Sequence, residues 1–159
     1  DLSFRAFGSW LTERSDGDTD FAGQVGFSQI AGIALPYADF KATGSLNYRN
    51  GGISTLLQVR HIGSGFHDVC GAGRCSAAQT VVLTDNTVES VTYVDFRLGY
   101  RFMLSGTEAE IFGNVTNLFD ADPPVTPTYS AFLGYSSQYN SSLYDVLGRR
   151  YTVGIRVRM

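Results

Sequence analysis

The sequence predicts an all-β chain, an antiparallel up-and-down sheet forming part of the wall of a transmembrane β-barrel. Three observations carry this. First, the final residues alternate without a break: Tyr151, Val153, Ile155, Val157 and Met159 fall on one face, and Arg150, Thr152, Gly154, Arg156 and Arg158 on the other. A strand that is apolar on one face and cationic on the other is awkward in water, and its free edge invites pairing with another chain. It fits a wall with lipid outside and a polar lumen inside. Second, five further segments alternate in the same way. Third, the links between segments are short and long by turns.

The segments follow in order. From Leu2, the residues Leu2, Phe4, Ala6, Gly8 and Trp10 oppose Ser3, Arg5, Phe7 and Ser9. From Phe40, the set Phe40, Ala42, Gly44, Leu46 and Tyr48 opposes Lys41, Thr43, Ser45, Asn47 and Arg49. From Ile53, Ile53, Thr55, Leu57 and Val59 oppose Ser54, Gln58 and Arg60, with Leu56 as an exception. From Val91, Val94, Phe96, Leu98, Tyr100 and Phe102 oppose Tyr93, Asp95, Arg97, Gly99 and Arg101. From Ala109, Ile111, Gly113 and Val115 oppose Glu110, Asn114 and Thr116, with Phe112 on the polar side. The C-terminal strand is the sixth.

Asn50-Gly51-Gly52 predicts a tight hairpin, because glycine supplies the positive φ such turns need. Leu104 to Glu108 predicts a second short turn. The other three links, roughly Glu13 to Asp39, Gly63 to Ser90 and Asp120 to Arg149, are long. Short turns at one end and long loops at the other are the asymmetry of outer-membrane barrels. Trp10, Phe40, Tyr93, Phe119 and Tyr151 lie toward the long-loop end, and Phe4, Tyr48, Tyr100 and Phe102 toward the short-turn end. That placement predicts two interfacial girdles.

Composition agrees. Lys41 is the only lysine, the other basic residues are arginines, and most of those sit inside alternating segments. No run approaches the roughly 18 apolar residues of a membrane helix. Mean hydropathy is near neutral, as when lipid-facing and lumen-facing residues cancel. The net charge of −3 carries no nucleic-acid footprint. No nucleophile–base set or paired-carboxylate spacing points to an enzyme, and no cofactor is implied. The first residues are already strand-like, with no signal peptide, so the chain reads as a fragment.

Two stretches carry a family resemblance. One is Gly113-Asn114-Val115-Thr116-Asn117-Leu118-Phe119-Asp120, followed by Asp122-Pro123-Pro124. The other is Tyr144-Asp145-Val146-Leu147-Gly148-Arg149-Arg150 running into the terminal strand. An Asn-Leu-Phe-Asp box, then Tyr-Asp-x-Leu-Gly-Arg-Arg and a terminal strand, resembles the C-terminal part of a TonB-dependent outer-membrane receptor barrel. Weaker matches are Pro36 ahead of Phe40 to Thr43, Tyr48 to Gly52, and Arg60 to Gly65. The motif residues are thus Asn117, Leu118, Phe119, Asp120, Gly148, Arg149 and Arg150, and the resemblance runs over residues 2–159.

The resemblance implies that residues 1–159 are the last six strands of a barrel of about 22, with the plug domain and earlier strands upstream. It implies a location in the outer membrane of a Gram-negative bacterium. Import of a scarce nutrient follows, such as siderophore-bound iron, cobalamin or an oligosaccharide. Implied partners are outer-membrane lipid, the plug and remaining barrel, the TonB complex through the upstream region, and the barrel-assembly machinery at the C-terminus. Such receptors usually end in an aromatic residue; here Gly154, Val157 and Met159 stand in the assembly signal. Arg5, Lys41, Arg49, Arg60, Asp95, Arg97, Arg101, Glu110, Arg156 and Arg158 would face the lumen, the cations pairing with plug carboxylates or with Asp95 and Glu110. Competing readings are a passive porin-like barrel and a soluble β-sandwich that binds a ligand. Six strands fall short of the roughly eight of the smallest barrels.

Cys70 and Cys75, spaced Cys-Gly-Ala-Gly-Arg-Cys in a long loop, read as a disulfide because the periplasm is oxidising. A metal site would want more His or Cys nearby, and only His67 is close. Asp16, Asp18 and Asp20 have the spacing of a calcium loop without its Gly and distal Glu, so a solvated acidic turn is expected. Tyr129, Phe132, Tyr135, Tyr139 and Tyr144 either stack on a ligand or pack over the barrel mouth. Asn140-Ser141-Ser142 fits a glycosylation pattern that a bacterial envelope protein would not normally use.

Overall fold

Alternating sequence becomes sheet because side chains in a strand point to opposite faces in turn. A computed structural model of the chain describes residues 1–28, 33–70, 72–73, 84–126, 128–130 and 135–158. Six long strands form one sheet: β1 (Leu2–Trp10), β2 (Phe40–Asn50), β3 (Ile53–Ile62), β4 (Val91–Leu104), β5 (Thr107–Thr116) and β6 (Arg150–Arg158). They lie side by side in chain order, each antiparallel to the next. The described residues thus form an all-β, up-and-down sheet.

The two short turns are tighter than the sequence suggests. Strand pairing runs to Leu104↔Thr107, leaving Ser105 and Gly106 as the whole turn, both at positive φ (51° and 84°). That is the pair of values a two-residue hairpin needs to match strand twist. In the other turn Gly51 takes φ 55°. The backbone of Gly52 lies against that of Arg101, whose N–H donates to the Gly52 carbonyl at 2.8 Å.

Register keeps the two faces separate across all six strands. Phe4 stands opposite Leu46, Leu46 opposite Leu57, and Leu57 opposite Phe96. Phe96 then stands opposite Val115, and Val115 opposite Tyr151. This apolar face is not covered. Phe4 is 69% exposed, Val153 76% and Ile155 71%. Near the short-turn end Ala109 is buried, opposite Phe102 on one side and Val157 on the other.

The buried core lies instead at the long-link end. Val25, Ala38, Val88 and Tyr144 from the links close over Ile62, Val91 and Tyr93 at the strand ends, with Ala121 and Leu143 packed against them. A second cluster joins Phe21, Leu35 and Val69. Tyr93 and Tyr144 are both buried, at 0% and 4% exposure. This corrects one expectation and decides between two others. Tyr93 sits on the polar face under the links, so it is no girdle residue, and of the two alternatives for Tyr144 the packing one holds, since its ring fills core.

The links also carry short ladders that two- or three-residue segments cannot announce by periodicity. Ser15–Asp16 pairs with Thr19–Asp20, Phe27–Ser28 with Ile33–Ala34, Gly65–Phe66 with Thr87–Val88, and Thr128–Ser130 with Tyr135–Ser137. First and second links are stitched by Val25 N–H to Phe66 carbonyl (3.0 Å) and Phe66 N–H to Gly23 carbonyl (2.8 Å). The third joins through Asn140, 1% exposed. Its side-chain amide donates to the carbonyls of Val25 (2.8 Å) and Leu35 (3.0 Å), and its backbone N–H to Thr126 Oγ1 (2.7 Å). Asn140 is therefore a clamp, and its burial leaves no room for a glycan.

Asn140→Leu would leave two buried carbonyls unpaired, at a cost of about 1–3 kcal/mol each. Hydrogen exchange should show faster opening of residues 23–28 and 33–35 while β2 to β5 keep their protection. Unchanged exchange at those residues would mean that the clamp does not hold the links together.

Candidate functional site

The charged residues singled out in the sequence come together on one face of the sheet. Arg5, Lys41, Arg49, Arg60, Asp95, Arg97, Arg101, Glu110, Arg156 and Arg158 all occupy polar-face positions of the ladder. Cross-strand pairing places opposite charges side by side. Arg60 Nε meets Asp95 Oδ2 at 3.3 Å. Glu110 takes Arg97 on Oε1 at 3.4 Å and Arg156 on Oε2 at 3.3 Å. Arg158 meets Glu108 at 3.4 Å. Lys41 Nζ donates to the Pro36 carbonyl at 3.1 Å.

Phe112, the apolar exception on this face, has a physical reason. Its ring lies over Gly154 on β6, where an added Cβ would meet ring carbon at 2.5 Å. The Arg97 and Arg156 guanidinium groups stand 5.0 and 5.9 Å from the ring centre, within cation–π reach. Leu56 likewise borders a hollow of about 370 Å³ in the short-turn half of the face, ringed by Arg49, Arg97, Arg101, Arg156 and Arg158.

The motif residues form a second constellation at the long-link end of β5 and β6. Asn117, fully buried at φ 53°, closes a turn on itself. Its Oδ1 accepts from Ala121 N–H (2.9 Å), and its Nδ2 donates to the Ala121 carbonyl (3.0 Å). Its own N–H donates to Asp95 Oδ1 at 2.9 Å, tying the turn to the polar face. Leu118 N–H continues the ladder to the Val94 carbonyl at 2.7 Å. Phe119 is 73% exposed.

Asp120 and the Leu-Gly-Arg-Arg segment meet across the link. Asp120 Oδ1 accepts from Arg149 N–H at 2.8 Å, and its Oδ2 lies 3.6 Å from the Arg149 guanidinium. Gly148 sits beside Asp120 at φ 67°, a conformation that favours glycine. Arg150 forks onto Asp145 with bonds of 2.9 and 3.1 Å, and Asp145 Oδ1 also accepts from Leu147 N–H at 3.1 Å. Burial pushes the Asp145 carboxyl up, but the Arg150 and Leu147 hydrogen bonds and the nearby guanidinium charges outweigh it and hold the group below its ordinary 3.8. The sequence grouped these residues as a motif without showing which side chains meet.

In the second link Cys70 is disulfide-bonded, and Cys75 lies outside the described residues. Asp68 Oδ1 accepts the Cys70 N–H at 2.7 Å, while Asn86 brackets the Asp68 backbone at 2.9 and 2.7 Å. In the acidic turn Asp20 Oδ1 accepts from the N–H groups of Arg14 (2.9 Å) and Ala22 (3.0 Å). Among the described residues no group of three or more His, Cys, Asp and Glu could hold a metal ion. The side chains of Tyr129, Phe132 and Tyr135, and Met159 of the assembly signal, lie outside the described residues; Gly154 and Val157 sit in β6, Val157 opposite Ala109.

Comparison with known proteins finds no matching family model, no matching curated protein and no matching solved structure.

The geometry generates two predictions. Gly154→Val drives a branched side chain into the Phe112 ring and should cost about 1–3 kcal/mol. The Gly154→Val/Phe112→Ala pair should then cost less than the sum of its singles in chemical denaturation; strict additivity would mean that the two do not touch. The Asp145–Arg150 clasp gives a pH dependence. Because the folded carboxyl titrates below the unfolded one, its stabilisation is complete above pH 3.8 and fades as pH falls through the folded value. Thermal melts should fall more steeply below pH 3.8 in the native chain than in Asp145→Asn. Parallel curves would remove the clasp as the cause.

Proposed function

We propose that this chain is the C-terminal part of the barrel wall of a TonB-dependent outer-membrane receptor, which imports a scarce nutrient across the outer membrane of a Gram-negative bacterium. The observation that carries the reading is the apolar face, which runs unbroken across six strands and remains exposed. In water, apolar area of that extent costs free energy at about 25 cal/mol per Å²; in lipid it does not. The opposite face supports the same reading, since it is lined with charged residues and Arg60, Arg97, Arg156 and Arg158 are paired with carboxylates there, as suits a polar interior.

Two further features support it. The long links share one end of the sheet and the two-residue turns the other, as extracellular loops and periplasmic turns do. The strands at the two margins, β1 and β6, each have one edge left for further strands of the parent barrel. In this reading the plug domain lies on the polar face, lipid lies on the apolar face, and the barrel-assembly machinery reads β6. The transported nutrient is a siderophore complex, cobalamin or an oligosaccharide.

The test places charge on either face of β6 in the full-length parent. Val153→Arg or Ile155→Arg puts a cation into lipid at roughly 2–4 kcal/mol. Both should reduce heat-modifiable folded receptor in outer-membrane fractions. Thr152→Arg, on the polar face, should be tolerated, and Arg156→Gln should be mild. Equal tolerance of arginine at Ile155 and Thr152 would remove the membrane reading. So would a chain that folds and stays monomeric without detergent, which would favour a soluble sandwich.

A further inference from the structure

The polar face holds more positive charge than its own carboxylates neutralise, and the surplus is local. Arg49, Arg97, Arg101, Arg156 and Arg158 ring the hollow of about 370 Å³ near the short turns. Five guanidinium groups face Glu110 in its lining and Glu108 beside it, so three positive charges remain. Arg101 stands directly opposite Glu110 in the ladder. Both Glu110 oxygens are already taken, one by Arg97 and one by Arg156. Among the described residues neither Arg101 nor Arg49 forms an ion pair. An adjoining hollow shares Arg49 and adds Arg5 and Asp1, which does not reduce the surplus.

The hollow is organised before anything enters it. Glu110, with 12% of its side chain exposed, anchors Arg97 and Arg156 from beneath. The Phe112 ring supports the same two guanidinium groups. Asn47 and Ser54 add neutral hydrogen-bonding groups to the lining. Guanidinium groups bind carboxylate or phosphate with two parallel hydrogen bonds, and here several of them border one space. Its volume lies within the range of small-molecule sites.

We infer that this hollow is a binding site for a small polyvalent oxyanion, a phosphate ester or a di- or tricarboxylate, clasped by Arg49 and Arg101 over the fixed Arg97–Glu110–Arg156 group. The inference goes beyond the receptor reading and rests only on the polar face. Its failure is read by anion binding, whereas failure of the receptor reading is read by membrane insertion.

The test is isothermal titration of the full chain folded in zwitterionic detergent, with circular dichroism as the control for folding. The probes are sodium pyrophosphate, tricarballylate and a hexaglutamate peptide. At least one of the two small anions should bind saturably, more weakly as salt rises. Arg49→Gln and Arg101→Gln should each weaken binding about tenfold or more, as expected for one charge-assisted contact. Glu110→Gln, which frees two guanidinium groups, should tighten it. Arg149→Gln, at the far end of the sheet, should leave it unchanged. Binding that ignores Arg49 and Arg101, or no saturable binding of either small anion, overturns the inference. Binding of the peptide alone also overturns it and makes the hollow a polypeptide docking surface.

Discussion

Strand parity is the constraint on which the rest depends. With a side-chain period of two, a slip of one residue in any ladder would move that strand's whole apolar set to the charged face. The two-residue turns hold parity between β2 and β3 and between β4 and β5. The long links cannot, because their length alone fixes nothing. There the task passes to side chains that bracket the strand ends: Asp120 and Asp145 grip Arg149 and Arg150 just as β6 begins. At the first link a backbone bond does this instead: Leu11 N–H donates to the Asp39 carbonyl at 2.7 Å.

The sheet and the links divide the usual work of a domain. The sheet supplies backbone pairing and two chemically distinct faces, yet buries almost no side chains. The links supply the water-excluded core. An ordinary soluble domain buries its sheet against another layer. Here most of the buried residues sit in the links and at the strand ends beside them, so the apolar face is left to whatever medium surrounds it. The ion pairs on the other face are partly exposed and individually weak.

The sheet was legible in the sequence because periodicity is a local property. Every long strand announced itself within about ten residues, and glycines marked one turn directly. The two anomalies, Leu56 and Phe112, were visible as breaks in pattern but not interpretable: the reason for Phe112 is Gly154, on the next strand. The links were largely illegible. Their ladders are too short to show a period, and Asn140 bonds to carbonyls 115 and 105 residues away. Tyr93 was misread because aromatic character near a strand end fits a girdle and a core equally well. Only the fold of the links over it decides.

The closure of the third link by Asp120 and Arg149 makes its base a socket. Chain enters and leaves at two adjacent points held by Asp120 on Arg149 and by Asp145 on Arg150. Between them, only residues outside the Asn140 clamp, the Tyr144 core and the Asp145 clasp are free to change without disturbing how β5 meets β6. The sheet and the links can therefore diverge at different rates. A lineage can change what its outer surface contacts while keeping one sheet, and an engineer can graft a foreign segment inside the socket while leaving its rim intact.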